Sequence, residues 1–342
     1  DYYIRKADVT VNATLEILPG TVIAQAVDGA TGQGRLATGS AGSLICRGDP
    51  FEGGYVTFVE RGRAGEMAGV GVPYSNNQRF IELHADSEYD IRFTRFCGMG
   101  VALTVNGGGG ICRDNYFLVN TYGMDLLGGD GATVQNSLFT GNYIAIRDYQ
   151  TTSGLVSGCT FDRNDRSLNF AGSSPADATV YNCLFHSYNY GLRINNSNCD
   201  LTEHHNAFYH DNGGTFYPIY PAESYDLDPN DWADPLRDYA QGLYGDPYDP
   251  SWPDFDLRFC VVADSNAVDN GYDPAGRGMC GYTVFLANIE DTGVIDIGFH
   301  RPLPGDLDSD DLRDFEEYWQ GTDPNNPDTD DDGLYDGCLL YT

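Results

Sequence analysis

Oxygen donors recur at alternate positions in two stretches near the carboxyl end of this chain. From Asp306 the residues read D-L-D-S-D-D-L-R-D-F-E-E, which places carboxylates at relative positions 1, 3, 5, 9 and 12: Asp306, Asp308, Asp310, Asp314 and Glu317. With the Leu312 carbonyl at position 7, this is the ligand order of a loop that wraps a calcium ion. From Asp328 the order repeats in Asp328, Asp330, Asp332, the Leu334 carbonyl and Asp336. A hard cation of that size takes about six to eight oxygens, and carboxylates on alternate residues of a tight loop can converge on one point. Ca2+ is therefore the expected cofactor.

Two departures qualify the match. Position 6 of the first loop is Asp311, where glycine usually permits the sharp turn, whereas the second loop has Gly333 there. The second loop reaches position 12 at Leu339, which offers no carboxylate. Between the loops runs G-T-D-P-N-N-P-D-T-D, residues 321–330. With that phrase, residues 305–342 resemble the bacterial thrombospondin type 3-like calcium repeats, whose loops are EF-hand-like. The competing expectation is a solvated acidic tail that binds nothing in particular.

The elements that must carry this tail are read from a repeat. Phe117, Phe139, Phe161, Phe185 and Phe208 follow one another at steps of 22, 22, 24 and 23 residues. Five residues before them stand Cys112, Val134, Val156 and Val180, and two before stand Asn115, Ser137, Cys159, Cys183 and Asn206. Three residues after come Asn120, Asn142 and Asn164, and seven after come Met124, Ile146, Leu168 and Leu192. Each unit has short alternating apolar beats broken by Asn or Gly, too short for helices. Stacked coils satisfy this pattern, because each strand then pairs in parallel with its equivalent in the next coil and like side chains form ladders. Asparagine suits the corners, since it tolerates left-handed backbone. The expected fold is all-β, a right-handed parallel β-helix with coils of about 22–24 residues.

The amino-terminal part fits as earlier coils. T-L-E-I-L-P-G-T-V-I (residues 14–23) followed by G-S-L-I-C-R-G (residues 42–48) resembles the opening of the secreted bacterial β-helix proteins described as pectate-lyase-like. D-S-N-A-V-D-N-G (264–271) and D-T-G-V-I-D-I-G-F-H (291–300) resemble the closing coil of the same group. Three regions are expected: a β-helix over 1–215, a looped insertion and capping coil over 216–304, and the calcium-binding tail over 305–342. The resemblance implies a bacterial protein that is secreted or displayed at the cell surface. Asp1 opening directly into strand-like sequence agrees with a processed secreted form.

Charge narrows the partners. The formal net charge is −32, Lys6 is the only lysine, and residues 306–336 hold thirteen acids against Arg313 alone. Such a surface repels nucleic acid and anionic lipid while attracting divalent cations. No apolar run is long enough to span a bilayer. Nine cysteines without a C-x-x-C pair read as disulfides in an oxidising compartment, with Cys338 as the odd thiol. Cys159 and Cys183 share a column and fall within bridging range, although an unbridged inward-facing ladder is equally compatible; Cys260 and Cys280 form a second candidate pair.

No catalytic residue is assigned. The densest charge cluster on the coils is Arg147, Asp148, Asp162, Arg163, Asp165 and Arg166, where stacking could bring Asp148 near Arg166 or Asp165. His204, His205 and His210 could meet at a transition metal only if the chain bends, because neighbouring strand side chains point to opposite faces. The expected function is therefore an extracellular calcium-binding structural or adhesive protein. Its expected partners are copies of itself, joined head to tail into a filament, sheath or surface layer, and cell-surface or matrix polysaccharide. A polysaccharide lyase or hydrolase on the same scaffold is the alternative, and a carbohydrate-binding adhesin with Tyr188 and Tyr190 at its edge is a further one.

Overall fold

The computed structural model describes residues 2–4, 8–26, 34–61, 79–107, 109–128, 132–148, 154–171, 176–186, 189–194, 199–209, 267–273, 278–284 and 289–341. Three long parallel sheets account for nearly all of the strands: sheet A has nine, and sheets B and C have eight each. One coil visits B, C and A in turn, as in Tyr122–Leu126, Thr133–Gln135 and Leu138–Thr140. This is the expected right-handed parallel β-helix.

Registry between coils is one to one. Phe58, Phe96, Phe117, Phe139, Phe161, Phe185 and Phe208 are successive partners in sheet A. From Phe96 onward their rings stack nearly face to face at centroid separations of 4.6, 4.6, 5.0, 4.9 and 4.8 Å. Those separations follow the spacing of hydrogen-bonded strands, about 4.8 Å. The phenylalanines join Leu103, Met124, Ile146, Leu168 and Leu192 from sheet B and Cys112, Val134, Val156 and Val180 from sheet C in one continuous core.

Two columns of left-handed backbone make the corners around sheet A. Phe93, Asp114, Asn136, Gly158, Asn182 and His205 hold φ between 41° and 61°, and Gly98, Val119, Gly141 and Arg163 hold φ between 50° and 67°. The second column is stitched from coil to coil by buried amides. Asn120 N–H donates to Asn142 Oδ1, and Asn142 N–H donates to Asn164 Oδ1, both at 2.9 Å. In return Asn142 Nδ2 donates to the Phe117 carbonyl and Asn164 Nδ2 to the Phe139 carbonyl, at 2.9 Å each. In the later coils the small changes in length fall in the connection from B to C, whereas the early coils are lengthened mainly between A and B, as between Val56–Arg61 and Arg79–Leu83. Ile146 pairs with Leu168, a step of 22, whereas Gly154 of the same coil pairs with Ala178, a step of 24.

Residues 216–304 were expected to form a looped insertion and a coil that caps the stack. In the described residues they instead run along its flank, back toward the early coils. Tyr272 N–H donates to Asn182 Oδ1 at 2.6 Å, and Gly298 N–H donates to the Asn182 carbonyl at 2.9 Å. Phe299 N–H reaches Thr160 Oγ1 at 2.8 Å, His300 N–H reaches Asn136 Oδ1 at 2.6 Å, and Tyr282 O–H reaches Asp114 Oδ1 at 3.1 Å. The physical reason is supply: each corner leaves polar groups at regular intervals along the flank, and an extended segment can bind one coil after another. The strap delivers the helix Asp314–Gln320 to an aromatic cluster of Phe93, Tyr282 and Phe315, bordered by Tyr55 and Trp319. Arg313 then meets Asp49 at 3.2 Å, and Phe315 lies 6.1 Å from Phe51.

Two stability predictions follow from this packing. Phe139→Ala opens a hole in the middle of the ring stack and should lower stability by about 3–5 kcal/mol, measured by denaturant unfolding. Burial raises the Asp114 carboxyl to about 6, although Arg113, Asn136 and Tyr282 pull it down. Between the ordinary carboxylate range and that value the folded chain keeps a proton that the unfolded chain has lost, so this group makes stability fall as pH rises through the window. Asp114→Asn keeps the acceptor oxygen and removes the buried charge; its melting temperature relative to the wild type should be higher at about pH 7.5 than at about pH 4.5.

Candidate metal centre

The two acidic loops adopt the same backbone. Positions 4 and 6 are left-handed in both, with φ of 63° and 76° at Ser309 and Asp311, and 59° and 90° at Asp331 and Gly333. Asp311 thus takes the conformation that glycine supplies in the second loop, which aspartate can do at modest cost. In each loop the position 7 N–H donates to the position 5 carboxylate: Leu312 to Asp310 at 2.7 Å, and Leu334 to Asp332 at 2.9 Å. The position 9 carboxylates, both buried, brace the position 2 N–H groups. Asp314 accepts from Leu307 at 2.9 Å, and Asp336 accepts from Thr329 at 3.2 Å. The loops also pack on each other, since Gly337 N–H donates to Asp310 Oδ2 at 2.9 Å. A Cβ on Gly337 would lie 2.2 Å from the Asp310 carbonyl, so only glycine fits there.

Within this braced backbone the alternate carboxylates converge. One carboxylate oxygen from each of Asp306, Asp308 and Asp310 lies within 4.8 Å of the others, and Asp328, Asp330 and Asp332 are grouped in the same way. Both Asp308 carboxylate oxygens are inaccessible to solvent and have no hydrogen-bond partner, and the same holds for Glu317 Oε2. Glu317 comes from the first turns of the helix and is fully buried. Burial pushes its carboxyl up to about 8, with the Asp308 charge adding to the effect. Asp308 is itself raised, first by burial and then by Asp310 and Asp306. Converging carboxylates, with both oxygens of Asp308 and one of Glu317 left without donors, fit a hard divalent cation. Asp306, Asp308, Asp310, the Leu312 carbonyl and Glu317 would hold it in the first loop. The second loop would use Asp328, Asp330, Asp332 and the Leu334 carbonyl, and it is more open, with Asp330 and Asp332 exposed. Asp314 and Asp336 would bear on an ion only through the loop backbone that they brace.

The other sequence candidates separate. Cys159 and Cys183 are free thiols. Stacking in register sets the two Cβ atoms side by side and pointing the same way, and each thiol turns to backbone oxygens: Cys159 to Ser157 at 3.4 Å, and Cys183 to Tyr181 at 3.3 Å. Cys280 and Cys338 are also free thiols, and Cys260 lies outside the described residues. Asp148 pairs in register with Phe170, whereas Arg166 sits beneath Ile144, so stacking holds Asp148 and Arg166 apart. Arg147 forms a bidentate pair with Asp125 at 2.5 Å, Asp162 meets His186 at 2.7 Å, and Arg166 meets Asp165 at 3.4 Å. His204 and His205 do come together, with ring nitrogens 3.1 Å apart, because the left-handed turn at His205 supplies the bend. His210, Tyr188 and residues 195–198 lie outside the described residues.

Residues 79–220 match the family described as the right handed beta helix region, in agreement with the coils found there. No curated protein and no solved structure matches the chain. The chain is a parallel β-helix repeat protein. No helix among the described residues is long and apolar enough to cross a membrane.

Calorimetric titration should register calcium binding by the full chain. Asp308→Asn and Glu317→Gln should each weaken the first site by about tenfold or more, because both remove charge from the ligand set. In calcium-free buffer the same variants should melt no lower than the wild type, since each relieves an unpartnered buried carboxylate.

Proposed function

We propose that this protein is an extracellular, calcium-binding structural or adhesive rod. The β-helix supplies the stiff body, and calcium consolidates a tail docked on its flank. The observation that carries this reading is the half-buried Asp308, whose two carboxylate oxygens are shielded from solvent and unpartnered, beside the buried Glu317. Protein interiors do not hold such a group without proton or cation, and the loop geometry around it favours the cation.

A mechanical role is favoured over catalysis by the fate of the coil charges. Among the described residues, Arg147, Asp162 and Arg166 are each engaged with a neighbouring side chain, which counts against these three as the base or paired acids of polysaccharide cleavage. The second loop gives self-assembly a route. Its exposed Asp330 and Asp332 leave calcium accessible to a ligand from another copy, in place of the carboxylate missing at Leu339. A contact of that kind is heterologous and builds a filament when it does not close.

Trp319 reports on the tail, because its indole N–H donates to the Tyr282 hydroxyl at 2.7 Å and the Arg113 guanidinium lies over its ring at 4.5 Å. Chelation should shift tryptophan emission to the red and, in the same sample, disperse polymers seen by electron microscopy. Trp319→Phe should suppress the emission change. Unaltered emission and unaltered assemblies after chelation would refute the reading, as would release of unsaturated products from acidic polysaccharide.

A further inference from the structure

A second group of ligating side chains lies on the flanking strap, away from the tail loops. Asp291, Asp296 and His300 are each at most 3 % exposed, and one ligand atom from each falls within 4.8 Å of the other two. The strap doubles on itself here: Met279 and Asp291 bridge its limbs, and the exposed turn 292–294 joins Asp291 to the buried run 295–300. His300 is oriented by its Nδ1, 2.8 Å from the Gly298 carbonyl. A carbonyl only accepts, so Nδ1 carries the proton and Nε2 faces Asp291 Oδ2 at 2.7 Å.

Each acid is partly engaged. Asp291 Oδ2 accepts the Asp296 N–H at 3.1 Å, and Asp296 Oδ1 accepts the Asp269 N–H at 2.7 Å. Asp296 Oδ2 has no partner and no solvent contact. Protonating His300 would satisfy Asp291 alone and leave a net negative charge on Asp296 in the interior, which is expensive. A divalent ion neutralises both carboxylates, uses the Nε2 lone pair and occupies the orphaned oxygen. A ring N–H held by a backbone carbonyl is also the usual support of a metal-bound histidine.

We infer that Asp291, Asp296 and His300 bind a divalent first-row transition ion, with zinc the best fit to a compact set of two carboxylates and one imidazole. The ion staples Asp291 to the run 295–300 across the exposed turn 292–294, where His300 clasps Asn136 on the coils. This site is distinct in chemistry from the all-oxygen tail loops and does not depend on whether those loops take calcium.

The test uses the full chain, stripped with a chelator and returned to excess calcium, then titrated with zinc by calorimetry and by thermal unfolding. One equivalent of zinc should bind and raise the melting temperature. Asp296→Asn and His300→Gln should lower zinc affinity by more than about 100-fold, whereas Asp308→Asn should leave it unchanged. Asp296→Asn is nearly isosteric and removes an unpaired charge, so it remains informative if His300→Gln does not fold. No zinc binding by the wild type overturns the inference. So does zinc binding that survives Asp296→Asn or is lost instead with His204→Ala.

Discussion

Parallel pairing in exact register places each residue about 4.8 Å from its counterpart in the next coil, and every other feature of this molecule inherits that spacing. The phenylalanine rings stack because their Cα atoms are held at this distance, and the asparagine amides reach the next backbone for the same reason. A shift of one residue in one strand would turn its inward side chains out and break both ladders at once. The left-handed corners protect the register. They turn the chain tightly on both sides of sheet A in the later coils, where the small changes in coil length fall in the B-to-C connection.

The flank is as regular as the core, and the strap exploits this. Asn182, Thr160, Asn136 and Asp114 belong to successive coils, and each receives a hydrogen bond from a segment far away in sequence. The two acidic loops therefore rest on a surface built by the repeat, with Phe315 and Trp319 set among Phe93, Tyr55 and Tyr282. The loop aspartates serve two purposes. Asp314 and Asp336 fix the backbone, which leaves Asp306, Asp308 and Asp310 turned toward one another.

Much of this was legible in the residues. Steps of 22 to 24 between phenylalanines carry the coil and its inward face, and alternate aspartates carry the loop geometry, because both depend on short-range periodicity. What escaped depends on partners distant in sequence. Nothing near Asp291 or His300 reveals that Asn136 will clasp the strap, so it read as an end cap. The histidine pair at 204–205 needed a bend to converge, and the left-handed turn at His205 supplies it. The same corner column contains asparagine, aspartate and glycine elsewhere, and that was the available signal. For Cys159 and Cys183 the column gave proximity correctly, whereas a bridge also needs side chains that face each other.

Solenoids ordinarily fray from an end, since each repeat touches only its neighbours and opening can advance one unit at a time. Here a single stretch of chain is fastened to coils that would otherwise never communicate, from Asn182 down to Asp49. Peeling away the last coil must then also tear a seam that runs the length of the rod. The seam thereby ties together coils that a stepwise zipper would release one at a time.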